Sequence, residues 1–191
     1  MHYVAWVLVP NGGEAYEHVE RLMAPYDENT DDNEPLAFQD EGEEGQSGHW
    51  DWWRVGGRWT GMLSGYDPKA DPRNMEVCTL CTGTGMRNDR LGREARLRDP
   101  QYTCNGCAGK GTALKWPTEW VAHDADVSTT ERALAKMTSG VGPFVLVTEE
   151  EWLPKERYTD GEFVEAADWA AAVVERLQRH EGRVVVVDYH S

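Results

Sequence analysis

No apolar run in this chain of 191 residues approaches the ~18 residues that cross a bilayer as a helix, so a helical membrane span is not expected. Met1–Pro10 is apolar but has neither a basic flank nor a small-residue cleavage site, and it does not read as a signal peptide. Basic residues are scarce: 19 Lys and Arg stand against 34 Asp and Glu, for a net charge of −15. A surface so acidic repels phosphate backbones and disfavours general nucleic-acid binding. It suits high solubility, a basic protein partner, or mimicry of a nucleic acid. Also missing are a Gly-rich loop followed by Lys-Ser or Lys-Thr and a Gly-x-Ser-x-Gly elbow, which removes the P-loop and serine-hydrolase readings. Cysteine is limited to four residues. Paired cysteines in a chain without an export signal favour metal over disulfides, and a cytoplasmic location is expected.

All four cysteines fall in two copies of Cys-x-x-Cys-x-Gly-x-Gly, Cys78–Gly85 and Cys104–Gly111. Two such turns facing each other supply four thiolates in a tetrahedron, the closed geometry of one structural Zn²⁺. A knuckle folds its backbone tightly under the metal, and Gly takes positive φ there without a Cβ clash. The alternatives are two disulfides, or unrelated cysteines in tight turns. With Cys78, Cys81, Cys104 and Cys107 all bound, no open position remains for a catalytic water.

The doubled pattern resembles half of the cysteine-rich zinc region of DnaJ-type co-chaperones, over about 34 of the residues. The His-Pro-Asp hairpin and Gly/Phe-rich linker of those proteins are lacking. The resemblance therefore implies zinc-knuckle geometry and a protein-binding surface, not co-chaperone activity. The Trp52-Trp53-Arg54-Val55-Gly56-Gly57-Arg58-Trp59 core and the Val-Val-Asp188-Tyr-His190 ending are similar to small uncharacterised proteins of actinobacterial phages. That resemblance implies no activity; it would make a protein partner a host protein.

His2–Val9 reads as a strand buried on both faces, followed by an amphipathic helix over Glu14–Ala24. Asp27–Glu44 carries nine acidic and no basic residues, with Leu36 and Phe38 as its apolar anchors. It reads as a solvated loop or as a contact arm for a basic partner. In His49–Leu63, alternation puts Trp50, Trp52 and Arg54 on one face and Asp51, Trp53 and Val55 on the other. Gly56-Gly57 suggests a two-residue hairpin turn. Trp50, Trp52, Trp53, Arg54, Gly56, Gly57, Arg58 and Trp59 then form either sheet core or a ligand or partner site in which arginine stacks on indole. Met86–Asp99, with five arginines, is the one net-basic patch: a loop that pairs with the acidic arm or touches nucleic acid. His123, Asp124 and Asp126 read as polar loop groups. Ser128-x-x-Glu131 and Thr159-x-x-Glu162 read as capping boxes for two helices, the second helix long and ending at Gly182. Phe144–Val147 and Val184–Val187 read as buried strands, with a small hairpin around Trp152–Pro154.

The fold expected from these elements is α+β: a mixed sheet with two main packed helices and an inserted zinc-knuckle module over residues 76–111. Residues 1–75 and 112–191 would form the main domain. A split-βαβ, ferredoxin-like path would make both terminal strands central. The function expected is that of a non-enzymatic, zinc-containing binding protein. It would act on a protein partner through acidic and Trp-rich surfaces, without membrane or nucleic-acid binding. The alternatives are a small nucleotide- or anion-binding enzyme at Arg54, Arg58 and the tryptophans, and nucleic-acid binding through residues 86–99. His2, His49, His190, Asp51 and Asp188 would assemble if the terminal strands were neighbours.

Overall fold

The two continuous apolar runs of the chain pair with each other. Strand β1 (His2–Val9) precedes helix α1 (Ala15–Met23), and β2 (Trp52–Val55) follows. Next come β3 (Met75–Val77), α2 (Arg90–Arg98), β4 (Thr112–Leu114), β5 (Val127–Thr129) and α3 (Thr130–Thr138). The chain finishes with β6 (Val145–Val147), β7 (Trp152–Pro154), β8 (Glu156–Thr159), β9 (Glu162–Glu165), α4 (Trp169–Arg179) and β10 (Arg183–His190). This computed structural model describes residues 1–30, 34–35, 47–121, 124–159 and 162–191. Leu36, Phe38, His123 and most of the acidic stretch lie outside them. No helix among the described residues is long and apolar enough to cross a membrane. The chain divides into two compact units, Met1–Tyr66 with Ala122–Ser191, and Asp67–Val121.

The first unit is built on a 6-stranded mixed sheet in the order β2-β10-β1-β6-β7, with β5 also paired to β10. β1 and β10 are antiparallel over their whole length, from His2↔His190 to Val9↔Arg183, while β1 and β6 run parallel. Both terminal strands are thus central, as their two-sided apolarity requires. Val4, Trp6, Leu8, Leu146, Val184 and Val186 form one core with Ala133 of α3 and Trp169, Val173 and Leu177 of α4. Ala5, Val7, Val9, Val145, Val147, Val185 and Val187 form the other with Val19, Leu22 and Met23 of α1. The α+β class and mixed sheet hold. The helices, however, cover both faces, whereas a split-βαβ layout would put them on one.

Several local expectations are corrected. The N-cap of α3 is Thr129, whose side chain accepts the Arg132 N–H, and Ser128 belongs to β5. Thr159-x-x-Glu162 caps no helix: it links β8 and β9, an antiparallel pair, and the helix begins at Trp169. A β-hairpin and a capping box share the same polar spacing, so local sequence did not separate them. Trp152–Pro154 does form a hairpin with β6.

The Gly56-Gly57 turn makes no β-hairpin either. β2 pairs with β10, and the chain then enters a 3-10 turn at Gly57–Trp59. Two buried carboxylates replace the absent partner strand: Asp188 Oδ2 accepts the Arg58 N–H at 3.0 Å and Asp126 Oδ1 accepts the Gly61 N–H at 2.8 Å. Gly56 and Gly57 have positive φ, and a Cβ on either would overlap Asp126 and Thr60, or Asp188. The bend at Asp51 also breaks the alternation. Trp50 joins Trp53 and Val55 against α1, with its indole N–H donated to the Met23 carbonyl at 2.9 Å.

Asp67–Val121 is broader than the 76–111 expected for the module. β3 and β4 pair antiparallel, and buried Asn74 ties the ends: its Nδ2 donates to Pro68 O and its Oδ1 accepts the Val121 N–H, both at 2.9 Å.

Two outcomes test this packing. Gly57→Ala should cost at least ~2 kcal/mol in denaturant unfolding, because strain at φ +53 adds to displacement of a buried carboxylate. The His49 ring stacks on Trp152 at 4.9 Å, and burial lowers its pKa from 6.5 to about 4. A depressed folded-state value leaves stability complete above pH 6.5 and removes it as pH falls toward about 4, at most on the order of 3 kcal/mol. His49→Gln should flatten that limb of the stability–pH curve.

Candidate metal centre

Each knuckle leaves a short strand, Cys78 and Cys81 directly after β3, Cys104 and Cys107 just before β4. Pairing of these strands brings the knuckles together. The four Sγ atoms lie within 4.8 Å of one another, and all four cysteines are buried. Cys78 and Cys104 Sγ are 3.8 Å apart, and Cys81 and Cys107 Sγ 3.7 Å. A disulfide needs about 2.05 Å, and the cysteines are free. Metal–sulfur bonds of about 2.3 Å in a tetrahedron give sulfur–sulfur edges of about 3.8 Å. The set therefore fits one metal ion held by four thiolates.

The glycines do more than relieve φ. Gly83, Gly85, Gly109 and Gly111 all have positive φ, and Thr82 and Ala108 occupy equivalent positive-φ positions in the two repeats. The Cys78 N–H donates to Gly111 O, and the Cys104 N–H to Gly85 O, both at 2.9 Å. A Cβ on Gly85 would strike Gly109 O, and one on Gly111 would strike Gly83 O. The repeats thus interlock through a local pseudo-two-fold, each closing the other.

Backbone N–H groups prepare the sulfurs. Gly111 N–H points at Cys107 Sγ at 3.3 Å. Burial pushes the Cys81 thiol up, but the Gly85 and Gly83 N–H groups and the Cys107 and Cys78 sulfurs outweigh it and bring it down to about 7. Burial dominates at Cys104, which rises to about 11 with Cys107 and Cys78 adding to the rise. A divalent ion reverses that preference by taking the thiolate.

The arginine stretch between the knuckles is a helix, α2, rather than a loop. Its N-cap Asp89 accepts the Gly92 N–H at 2.8 Å. Arg87 hydrogen-bonds the Asp89 carboxylate and, with the Gly92 N–H, holds it below the usual carboxylate range. Arg93 and Arg96 donate to the Asn88 and Arg87 carbonyls, and Arg90 meets Glu94 at 3.4 Å. These cations are committed within their own unit. Asp67–Val121 holds nine basic and seven acidic residues, so the acidic excess belongs to the other unit.

The tryptophan–arginine stretch is mainly packing. Trp50 is buried and Trp53 packs edge-on to it. Trp59 packs against the core on the α4 side. Trp52 and Arg54 project from the sheet face that carries His190 and Asp188. The faces of Gly56 and Gly57 are filled by protein carboxylates. Arg58 is exposed and, with Trp59, Tyr66 and Lys136, lines an open hollow of about 380 Å³. His2 Nδ1 meets Asp188 Oδ1 at 2.9 Å and His190 Nδ1 meets Asp51 Oδ1 at 2.8 Å. His49 packs with Tyr26 and Trp152 instead. The anchoring roles of Asp126 and Asp188 left no local mark in the sequence.

Comparison with protein-family models, curated proteins and solved structures returns no match.

Cys81→Ser should release a bound metal and make Asp67–Val121 protease-sensitive, while β1, β10 and helices α1 and α4 stay protected. Limited proteolysis with metal analysis checks this; collapse of the whole chain would refute it.

Proposed function

We propose that the chain is a zinc-containing binding protein. One structural Zn²⁺ is held by Cys78, Cys81, Cys104 and Cys107, and the unit around it docks a protein partner. Zinc is the fitting ion because a closed four-thiolate tetrahedron suits a soft-ligand site without open positions. One observation carries the binding role: the buried apolar side chains of Asp67–Val121 are little more than the four cysteines and Trp120, with Ala113 packed on the cysteines, while six larger ones face solvent. Leu97 is 86% exposed, Trp116 73% and Val77 62%, with Leu80, Met86 and Leu91 also exposed. Exposed apolar groups on a cross-linked scaffold are characteristic of contact surfaces.

This shifts the contact surface from the Trp50–Trp59 stretch to the metal unit, in keeping with the protein-binding role that the DnaJ-type resemblance implies. The phage resemblance would make the partner a host protein. An anion-binding enzyme at Arg54 and Arg58 draws less support, since the glycine faces there are closed. Nucleic-acid binding through α2 draws less again, since Arg90, Arg93 and Arg96 are bonded internally.

The test is affinity capture with the full-length chain, then repetition with Leu97→Ser and Trp116→Ser together. One discrete partner should be captured by the native chain. It should be lost at least tenfold from the double variant, with zinc content and thermal unfolding unchanged. Retention of the partner by the variant, or absence of any partner, overturns the proposal.

A further inference from the structure

The open hollow on the first unit differs in charge from the rest of this acidic chain. Its lining includes Arg58 and Lys136 and no acidic residue, although 34 acidic residues stand against 19 basic ones in the sequence. Neither cation is committed inside the fold. The backbone N–H of Arg58 is donated to Asp188, but among the described residues its guanidinium has no hydrogen bond or ion pair. The same holds for the ammonium of Lys136. Other cations of this unit are engaged: Arg21 meets Glu149, Arg176 meets Glu151, Lys155 meets Glu165, and Arg183 holds the carbonyls of Pro10 and Gly13. Half-buried Trp59, Met62 and Tyr66 give the hollow an apolar and aromatic wall beside the two charges.

The hollow is also held in shape. The carboxylates of Asp188 and Asp126 pin the backbone at Arg58 and Gly61, and the Met62 N–H bonds Trp59 O at 2.9 Å. Trp59 and Met62 pack on the core that receives Ala133, Leu134 and Met137 of α3, the helix that carries Lys136. Both walls are thus braced on one core, and a ligand has little backbone left to order. Gly56 and Gly57, whose faces the same carboxylates close, are not part of the lining. From these observations we propose that the hollow binds a small aromatic anion, its carboxylate or phosphate between Arg58 and Lys136 and its ring against Trp59 and Tyr66. Guanidinium and ammonium groups pair with either kind of anion, and indole and phenol rings take a flat partner by offset or edge-on stacking. A volume of about 380 Å³ lies at the small end of ligand pockets and suits a molecule of one or two rings. This site belongs to the first unit and stands independently of the metal unit and its partner.

The probes are naphthyl phosphate and naphthoate, titrated into untagged full-length protein at low salt and followed by ¹H–¹⁵N NMR. At least one should bind with a dissociation constant of about 1 mM or tighter, as expected for a ligand of that size. The signals that move first should be those of Arg58–Tyr66 and of the turn of α3 around Lys136. The tighter of the two probes distinguishes a phosphate from a carboxylate ligand. Naphthol, which lacks the charge, and inorganic phosphate and acetate, which lack the ring, should each bind roughly tenfold or more weakly. Arg58→Gln and Lys136→Gln should each weaken binding by a similar factor and leave thermal unfolding unchanged, since neither side chain is bonded within the fold. Failure of both naphthyl anions to bind, naphthol or a ringless anion binding as tightly as they do, or undiminished binding by Arg58→Gln each overturns the proposal.

Discussion

Burial of the carboxylate of Asp188 is the constraint around which the first unit is arranged. Taking an ionised carboxylate out of water costs several kcal/mol, against about 1.5–3 kcal/mol for each hydrogen bond to a charged group. More than one partner is therefore needed, and two distant segments supply them: His2 from the first strand and the Arg58 N–H from the loop after β2. Those partners are available because β1 and β10 pair in one register. A slip of a single residue would turn Asp188 to the opposite core and His2 away from it. The same register sends valines alternately to the two cores, so apolar and polar demands fix one alignment.

The second unit solves the opposite problem. It has almost no apolar interior, and its four sulfurs occupy the position a core would take. Apolar burial cannot offset the chain entropy of so small a unit. Metal–thiolate bonds can, since structural zinc in small modules contributes roughly 10–16 kcal/mol of apparent binding energy. Leu97, Trp116 and Val77 are then free to face outward. Buried Asn74 fastens the ends of the unit, which is why it extends past the knuckles on both sides.

Two stretches rich in chemistry-bearing side chains are mostly occupied within the fold. The tryptophans from Trp50 to Trp59 mostly brace the sheet, and the arginines of α2 mostly tie down their own loop. Conversely, histidines far apart in the chain stand next to each other. Chemistry-bearing residue types do not by themselves separate these outcomes. What separates them is whether a polar atom's hydrogen-bonding capacity is already used inside the fold.

The cysteine centre was legible because everything it needs is local: a repeated eight-residue pattern sets the ligand spacing, the tight turns and the glycines at once. The buried terminal strands, α1 and the α+β class were legible for a similar reason, since two-sided apolarity and helical spacing are properties of short segments. The pairing of β2 with β10, the carboxylate clamps on Gly56 and Gly57, the β8–β9 hairpin and the placing of helices on both faces were not. Each depends on which segments meet across the chain, and a Gly-Gly pair or a Thr-x-x-Glu spacing is compatible with several partners. Tertiary structure alone decided that Asp188 lies between His2 and Arg58, because only strand register brings residue 188 beside residues 2 and 58.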